Sequence, residues 1–246
     1  MLLSDFAETG LFIYRTATAP TRFQVLGERS SGTNLARRLL ARNTPLAPSD
    51  VLGWKHGFPS MLAIPADLAV ICMVRNAADW ALSMHAKPWH ATASLQALPF
   101  SDFIRAPWHS TIDRARYFPG AEELVGQSLQ QDRDPLTGAP FANLFELRRA
   151  KLAALLGYAA RGCTCVVLRV ERLQADPQGA IDEIAGGLGL AARDARFRPV
   201  GKRLGARFKP VLADRPPTPD SLTPADLRFL QRHCDTQQEA ALGYVY

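Results

Sequence analysis

Three apolar runs mark the chain, and each gives way to residues at helical spacing. Phe23-Gln24-Val25-Leu26 stops at Gly27, and Leu35-Ala36-Arg37-Arg38-Leu39-Leu40 resumes with its apolar residues on one helical face. Leu68 to Val74 is apolar at every position and rich in β-branched residues, as expected of a strand covered on both faces of a parallel sheet. It ends at Arg75-Asn76, before a helix over Ala77 to His85. Cys163 to Leu168 leads through Arg169-Val170-Glu171 into a helix from about Pro177 to Leu188. Strands alternating with helices predict an α/β fold, a central and mostly parallel sheet flanked by helices.

Between these runs the pattern changes. From Lys87 to Leu136 the periodicity is weak and Pro, Trp and His are frequent, so residues 87–140 are expected to form an insertion over one rim of the sheet. Asn143 to Ala160 has leucines near the 3.6-residue period. Thr223-Pro224-Ala225-Asp226 supplies an N-cap, a proline at the first helical position and an acid in the first turn, so one helix is predicted from there to about Leu242. With 246 residues and no repeat or low-complexity tract, the chain is expected to be a single domain, 1–246.

Composition narrows the class. At 47% hydrophobic and 21% charged residues, neither a disordered nor a fibrous chain fits. No run approaches the roughly 18 to 20 apolar residues of a membrane span, and the opening residues carry Asp5 and Glu8 instead of a basic stretch, so neither an anchor nor a leader is expected. Cys72, Cys163, Cys165 and Cys234 are too scattered to staple the chain and read as reduced core thiols of a cytoplasmic protein. Cys163 and Cys165 alternate along a strand and so face opposite ways, which argues against a shared metal. The net charge of +6 sits between Arg193 and Lys209, the segment that leads a basic loop of about 193–220. That segment is either a solvated loop, a polyanion surface or part of an anion pocket.

Candidate chemistry begins at Gly27-Glu28-Arg29-Ser30-Ser31-Gly32-Thr33-Asn34, between the first strand and its helix. Its glycines permit a tight turn, its backbone N–H groups can converge on an anion, and the helix dipole adds positive potential there. The same pattern also suits an ordinary helix start. Its spacing is that of a phosphate loop, although the usual Lys-Ser/Thr pair is replaced by Thr33-Asn34. Arg75 stands at the C-terminal end of the second run, the rim where open parallel sheets bind ligands, and Ser83 follows about two helical turns later. Together they suit a terminal phosphate; Arg75 could equally pair with Asp79.

These pieces resemble the P-loop-like sulfotransferases, which use 3′-phosphoadenylyl sulfate (PAPS). Arg29-Ser30-Ser31-Gly32-Thr33-Asn34 is similar to their 5′-phosphosulfate loop, with Ser30 where the family commonly has Lys or Arg. Val74 to Ser83 resembles V-R-N-P-x-D-x-x-x-S, with Ala77 for Pro, and Leu168 to Pro177 resembles L-R-Y-E-D-L-x-x-D-P, with Val170 for Tyr and Arg172 for Asp. Trp54-Lys55-His56-Gly57-Phe58-Pro59 echoes the K-x-H-x-P stretch that carries the family's base.

The resemblance implies a three-layer P-loop-like fold and a sulfuryl transfer from PAPS to an acceptor hydroxyl, with adenosine 3′,5′-bisphosphate as product and no metal. The 5′ end would lie on residues 29 to 34, and the 3′-phosphate on Arg75 and Ser83, with Lys202 and Arg203 as candidate additions. His56 would be the base, and Arg29 or Lys55 would meet the bridging oxygen. An imidazole of ordinary pKa, about 6.5, is largely neutral at pH 7, as a base must be. The acceptor would meet Trp89, His90, Trp108 and His109, residues that packing alone could also explain. Two alternatives stand beside this: a nucleotide kinase or NTPase, against which Arg75 takes the place of a Mg²⁺-holding Asp, and a polyanion-binding module on residues 193–209. No nucleic-acid partner is expected.

Overall fold

In the computed structural model, which describes residues 5–118, 120–201 and 208–246, five strands form one sheet. They are β1 (Leu11–Tyr14), β2 (Arg22–Gly27), β3 (Ala47–Pro48), β4 (Leu68–Val74) and β5 (Cys165–Arg169), in the order β1-β5-β4-β2-β3. β2, β3, β4 and β5 run parallel, and β1 is antiparallel to β5. The helices are α1 (Phe6–Thr9), α2 (Thr33–Asn43), α3 (Ala77–Ala86), α4 (Ala93–Gln96), α5 (Phe100–Arg105), α6 (Leu144–Leu156), α7 (Val170–Ala175), α8 (Pro177–Gly187), α9 (Pro224–His233) and α10 (Thr236–Ala241). The α/β class with a mostly parallel sheet flanked by helices agrees with the sequence pattern. No helix of the described residues is long and apolar enough to cross a membrane.

The chain divides into two compact units. The first comprises the described residues of Met1–Arg75, Leu152–Ala206 and Thr236–Val245; the second, those of Asn76–Lys151 and Arg207–Asp235, with Tyr246. In the first unit, alternate strand residues make the core. Phe23 and Val25 of β2, Ala69, Ile71 and Met73 of β4, and Val166 and Leu168 of β5 meet Ala36, Leu39 and Leu40 of α2 and Ile181 and Ile184 of α8. From β2 the chain crosses through α2 to β3 on one side and returns to β4 on the other. The switch in direction therefore falls between the C-terminal ends of β2 and β4, where ligands of open parallel sheets bind.

In the second unit Asp132 organises the stretch of weak periodicity. It accepts hydrogen bonds from Trp108 Nε1 (3.1 Å) and Ser110 Oγ (2.6 Å) and is bridged by Lys151, with all four residues buried. Short helices, single turns of 3₁₀ helix and isolated bridges are the regular elements among the described residues of 87–140. α9 begins as expected, Thr223 Oγ1 accepting from Asp226 N–H at 3.1 Å.

Several features depart from the expected elements, among them β3, α1 and α7, which had no counterpart in the sequence pattern, and the end of α6 at Leu156 in place of Ala160. β1 was not foreseen, because a four-residue run gives little periodicity; it is set off by Gly10 in the left-handed region. Strand β5 begins at Cys165, not Cys163. The single helix expected from Thr223 to Leu242 is two, since Cys234 is extended (φ −78°, ψ 157°) and Asp235-Thr236 offers the short polar side chains that compete with helical hydrogen bonds. None of the four cysteines is in a disulfide, and all four are buried. Burial pushes the Cys72 thiol well above its ordinary range and that of Cys163 to about 11, as suits inert core thiols.

Candidate anion-binding site at the Gly27 to Asn34 turn

β2 ends against β4 so closely that only glycine fits: a Cβ on Gly27 would lie 2.8 Å from the Met73 carbonyl oxygen and 2.7 Å from Ser31 Oγ. The chain then folds over itself, with Ser31 N–H and Oγ both donating to the Glu28 carbonyl (3.2 and 2.7 Å). Ser30 takes φ 64°, the left-handed region that non-glycine residues rarely adopt. Gly32 follows at φ 85° as the N-cap of α2, and a Cβ there would sit 2.4 Å from Val170 Cγ2. The third motif thus backs the turn through Val170. Thr33 and Asn34 open the eleven-residue α2, so the amide end of its dipole faces the turn.

Cationic side chains gather at this turn. Arg75, one residue past β4, donates from Nη1 to the Ser30 carbonyl at 2.8 Å. Lys55 Nζ donates to Asn34 Oδ1 at 2.6 Å. Burial, and then the nearby Arg37 guanidinium, lower the Lys55 pKa to about 8, while Asp50 works in the other direction. Arg37 itself grips Asp50 with both ends of its fork, at 2.8 and 3.0 Å. Arg29 is buried, 4% exposed, with its guanidinium 5.7 Å from the centre of the Trp54 ring.

His56 lies at the same end of β2. Its Nδ1 is 2.6 Å from the Gly27 carbonyl oxygen. A carbonyl only accepts, so Nδ1 carries the proton and the lone pair of the neutral ring is on Nε2. The Trp54 ring stands edge-on to the imidazole at 5.3 Å. The segment is stitched to β2 by Gly27 N–H, which donates to the Lys55 carbonyl at 3.0 Å.

Of the residues singled out in the sequence, Arg29, Ser30, Ser31, Gly32, Thr33, Asn34, Lys55, His56 and Arg75 belong to the first unit, and the structure gathers them around one turn. Ser83 is half-buried on α3 in the second unit. Lys202 and Arg203 lie outside the described residues. The described start of the basic segment packs at the far end of α2: Asn43 exchanges hydrogen bonds with the backbone of Arg198, and Arg42 reaches the Pro199 carbonyl at 2.6 Å. Eleven helical residues, about 15 Å, separate that end from the turn.

In the second unit Trp108 is 2% exposed and bonded to Asp132, which makes it a packing residue. His90 is buried at φ 66° with Nδ1 2.7 Å from Asp113, Trp89 is half-buried, and His109 is exposed. The residue that sequence reasoning passed over is Gln24, wholly buried in β2 and bonded to the backbone of Leu52 and Gly53. Its signal was a lone amide inside the apolar run Phe23 to Leu26.

Chemically, the turn offers backbone N–H groups, two half-buried cations and an imidazole of fixed tautomer beside one another. That set can bind an oxyanion and accept a proton near it. No protein-family model, curated protein or solved structure matches the chain.

Proposed function

We propose that the chain is a sulfotransferase of P-loop-like fold, which moves a sulfuryl group from PAPS to an acceptor hydroxyl. The observation that carries the proposal is the Arg75 to Ser30 hydrogen bond of 2.8 Å. It joins two motif pieces 45 residues apart in sequence at the switch between β2 and β4. The motifs supply the identity of the donor: the turn takes its 5′ end and Arg75 its 3′-phosphate, with Ser83 assigned to that phosphate by the motif.

Sulfuryl transfer resembles phosphoryl transfer in its loose transition state, so fixed positive charge and alignment do most of the work. The acceptor oxygen attacks sulfur as the bond from sulfur to the bridging oxygen breaks, and the nucleotide leaves with that electron pair. The amides of Thr33 and Asn34 stabilise the charge that builds on the phosphosulfate. Lys55, half-buried and anchored on Asn34, meets the bridging oxygen. Arg29, buried with its guanidinium 5.7 Å from the centre of the Trp54 ring, adds positive potential. His56 receives the acceptor's proton on Nε2 while Gly27 holds Nδ1–H.

A thermal-shift and calorimetric screen tests this. Adenosine 3′,5′-bisphosphate should stabilise the protein far more than AMP does, and His56→Ala should abolish turnover of PAPS while keeping product affinity. Equal response to the two nucleotides, or Mg²⁺-dependent turnover of ATP, would overturn the proposal in favour of an NTPase.

A further inference from the structure

The catalytic segment is held by a residue that touches none of the reacting groups. Gln24 is 0% exposed, at the centre of β2 on the face opposite Phe23 and Val25. A buried amide is costly unless both of its ends are bonded, and here both are. Leu52 N–H donates to its Oε1 at 2.8 Å, and its Nε2 donates to the Gly53 carbonyl at 2.9 Å. The backbone partners fix which end is which, since an N–H only donates and a carbonyl only accepts.

Two residues after Gly53 come Lys55 and then His56, whose next ties to β2 are the two bonds at Gly27. Gln24 and Gly27 therefore pin residues 52–56 alongside β2 at two points. Only Trp54 lies between the pinned residues Gly53 and Lys55, a span of at most about 7 Å that is too little to let the segment wander. A leucine at position 24 would make neither bond and would leave the first pin open.

We propose that Gln24 is a positioning residue, which sets where the Lys55 ammonium and the His56 imidazole stand relative to the turn. Its kinetic consequence rests on the sulfotransferase reading; its effect on His56 rests on the hydrogen bonds alone.

The test uses Gln24→Met, which keeps the volume and removes both bonds, and Gln24→Glu. In long-range ¹H–¹⁵N spectra of the free protein, wild-type His56 should carry its proton on Nδ1, and Gln24→Met should lose that fixed tautomer. With PAPS, Gln24→Met should lower kcat about 100-fold while affinity for adenosine 3′,5′-bisphosphate stays within about threefold. A buried glutamic acid without a cation stays protonated at low pH and reproduces the glutamine bonds, so Gln24→Glu should match wild type there and fail as pH rises.

A folded Gln24→Met with wild-type kcat and an unchanged His56 tautomer would overturn the proposal. So would Gln24→Glu with the wild-type pH profile, which decides the matter if Gln24→Met does not fold. A wild-type protein that ignores adenosine 3′,5′-bisphosphate would remove the sulfotransferase reading, and the His56 spectra would still judge Gln24.

Discussion

Both units hold cations partly or wholly away from water, and the acceptors at Asp132 and Asp226 of the second differ from those at the turn of the first. In the second, Lys151 stands on Asp132 and Arg105 on Asp226, while Arg215 donates to the carbonyls of His85, Ala86 and Gln96. At the turn of the first unit, two cations donate to neutral acceptors. Lys55 is bonded to the Asn34 amide and Arg75 to the Ser30 carbonyl. A carboxylate both fixes a cation and cancels it, whereas a carbonyl fixes it and leaves its charge in place. The difference separates a structural ion pair from a site prepared for an anion.

That contrast can be broken most easily where the carboxylates are. Asp132 and Lys151 are 2% and 6% exposed in their side chains, so Asp132→Ala strands a buried ammonium along with Trp108 Nε1 and Ser110 Oγ. Denaturant unfolding should show a loss of about 3–5 kcal/mol. A loss below about 1 kcal/mol would mean that Lys151 is not committed to Asp132. Next in size, Arg75→Ala should weaken adenosine 3′,5′-bisphosphate about 100-fold by calorimetry, within the range of a charge-assisted contact. Affinity within about threefold of wild type would restrict Arg75 to bracing Ser30.

How much of this was legible in the sequence follows the same division. β2, β4 and the turn were readable because apolar runs ending in Gly27 and Arg75 obey local rules, and the switch point then places those ends side by side. The ties at Gly27 and Gln24 were not, since they join residues nearly thirty positions apart and have no local period. The second unit resisted reading for a related reason. Its centre is a buried polar group, Asp132, and hydrophobic periodicity says nothing about such a group. The break at Cys234 was missed because a strong N-cap at Thr223 promises a helix start and is silent about its end.

Lys55 sharpens the contrast through pH. Its folded pKa of about 8 lies below the ordinary lysine value of 10.5, so the folded state bears the strain of the charge at neutral pH. Between those two values the unfolded chain binds more protons than the folded one, and stability should rise with pH across that window. Lys55→Met should therefore be more stable than wild type at pH 7, with the gap closing by about pH 10.5. Its affinity for PAPS should fall about 10-fold, and the wild-type affinity should decline toward that of the variant as pH passes about 8. A destabilised Lys55→Met at pH 7 would show that the ammonium serves packing and not an anion.

The smallest expected effect falls on Ser30. Its left-handed backbone at φ 64° costs a non-glycine residue about 1 kcal/mol, and the Arg75 bond to its carbonyl helps hold the turn in that shape. Ser30→Gly removes the steric cost and loosens the unfolded chain, two changes that partly offset, so a gain of less than about 1 kcal/mol is expected in denaturant unfolding. The informative quantity is the coupling. If Arg75 props up a strained turn, Arg75→Ala should destabilise the Ser30→Gly background less than it does the wild type. If instead the Arg75 effect on stability is the same in both backgrounds while its effect on nucleotide affinity persists, the guanidinium is there for the ligand and the turn keeps its own shape.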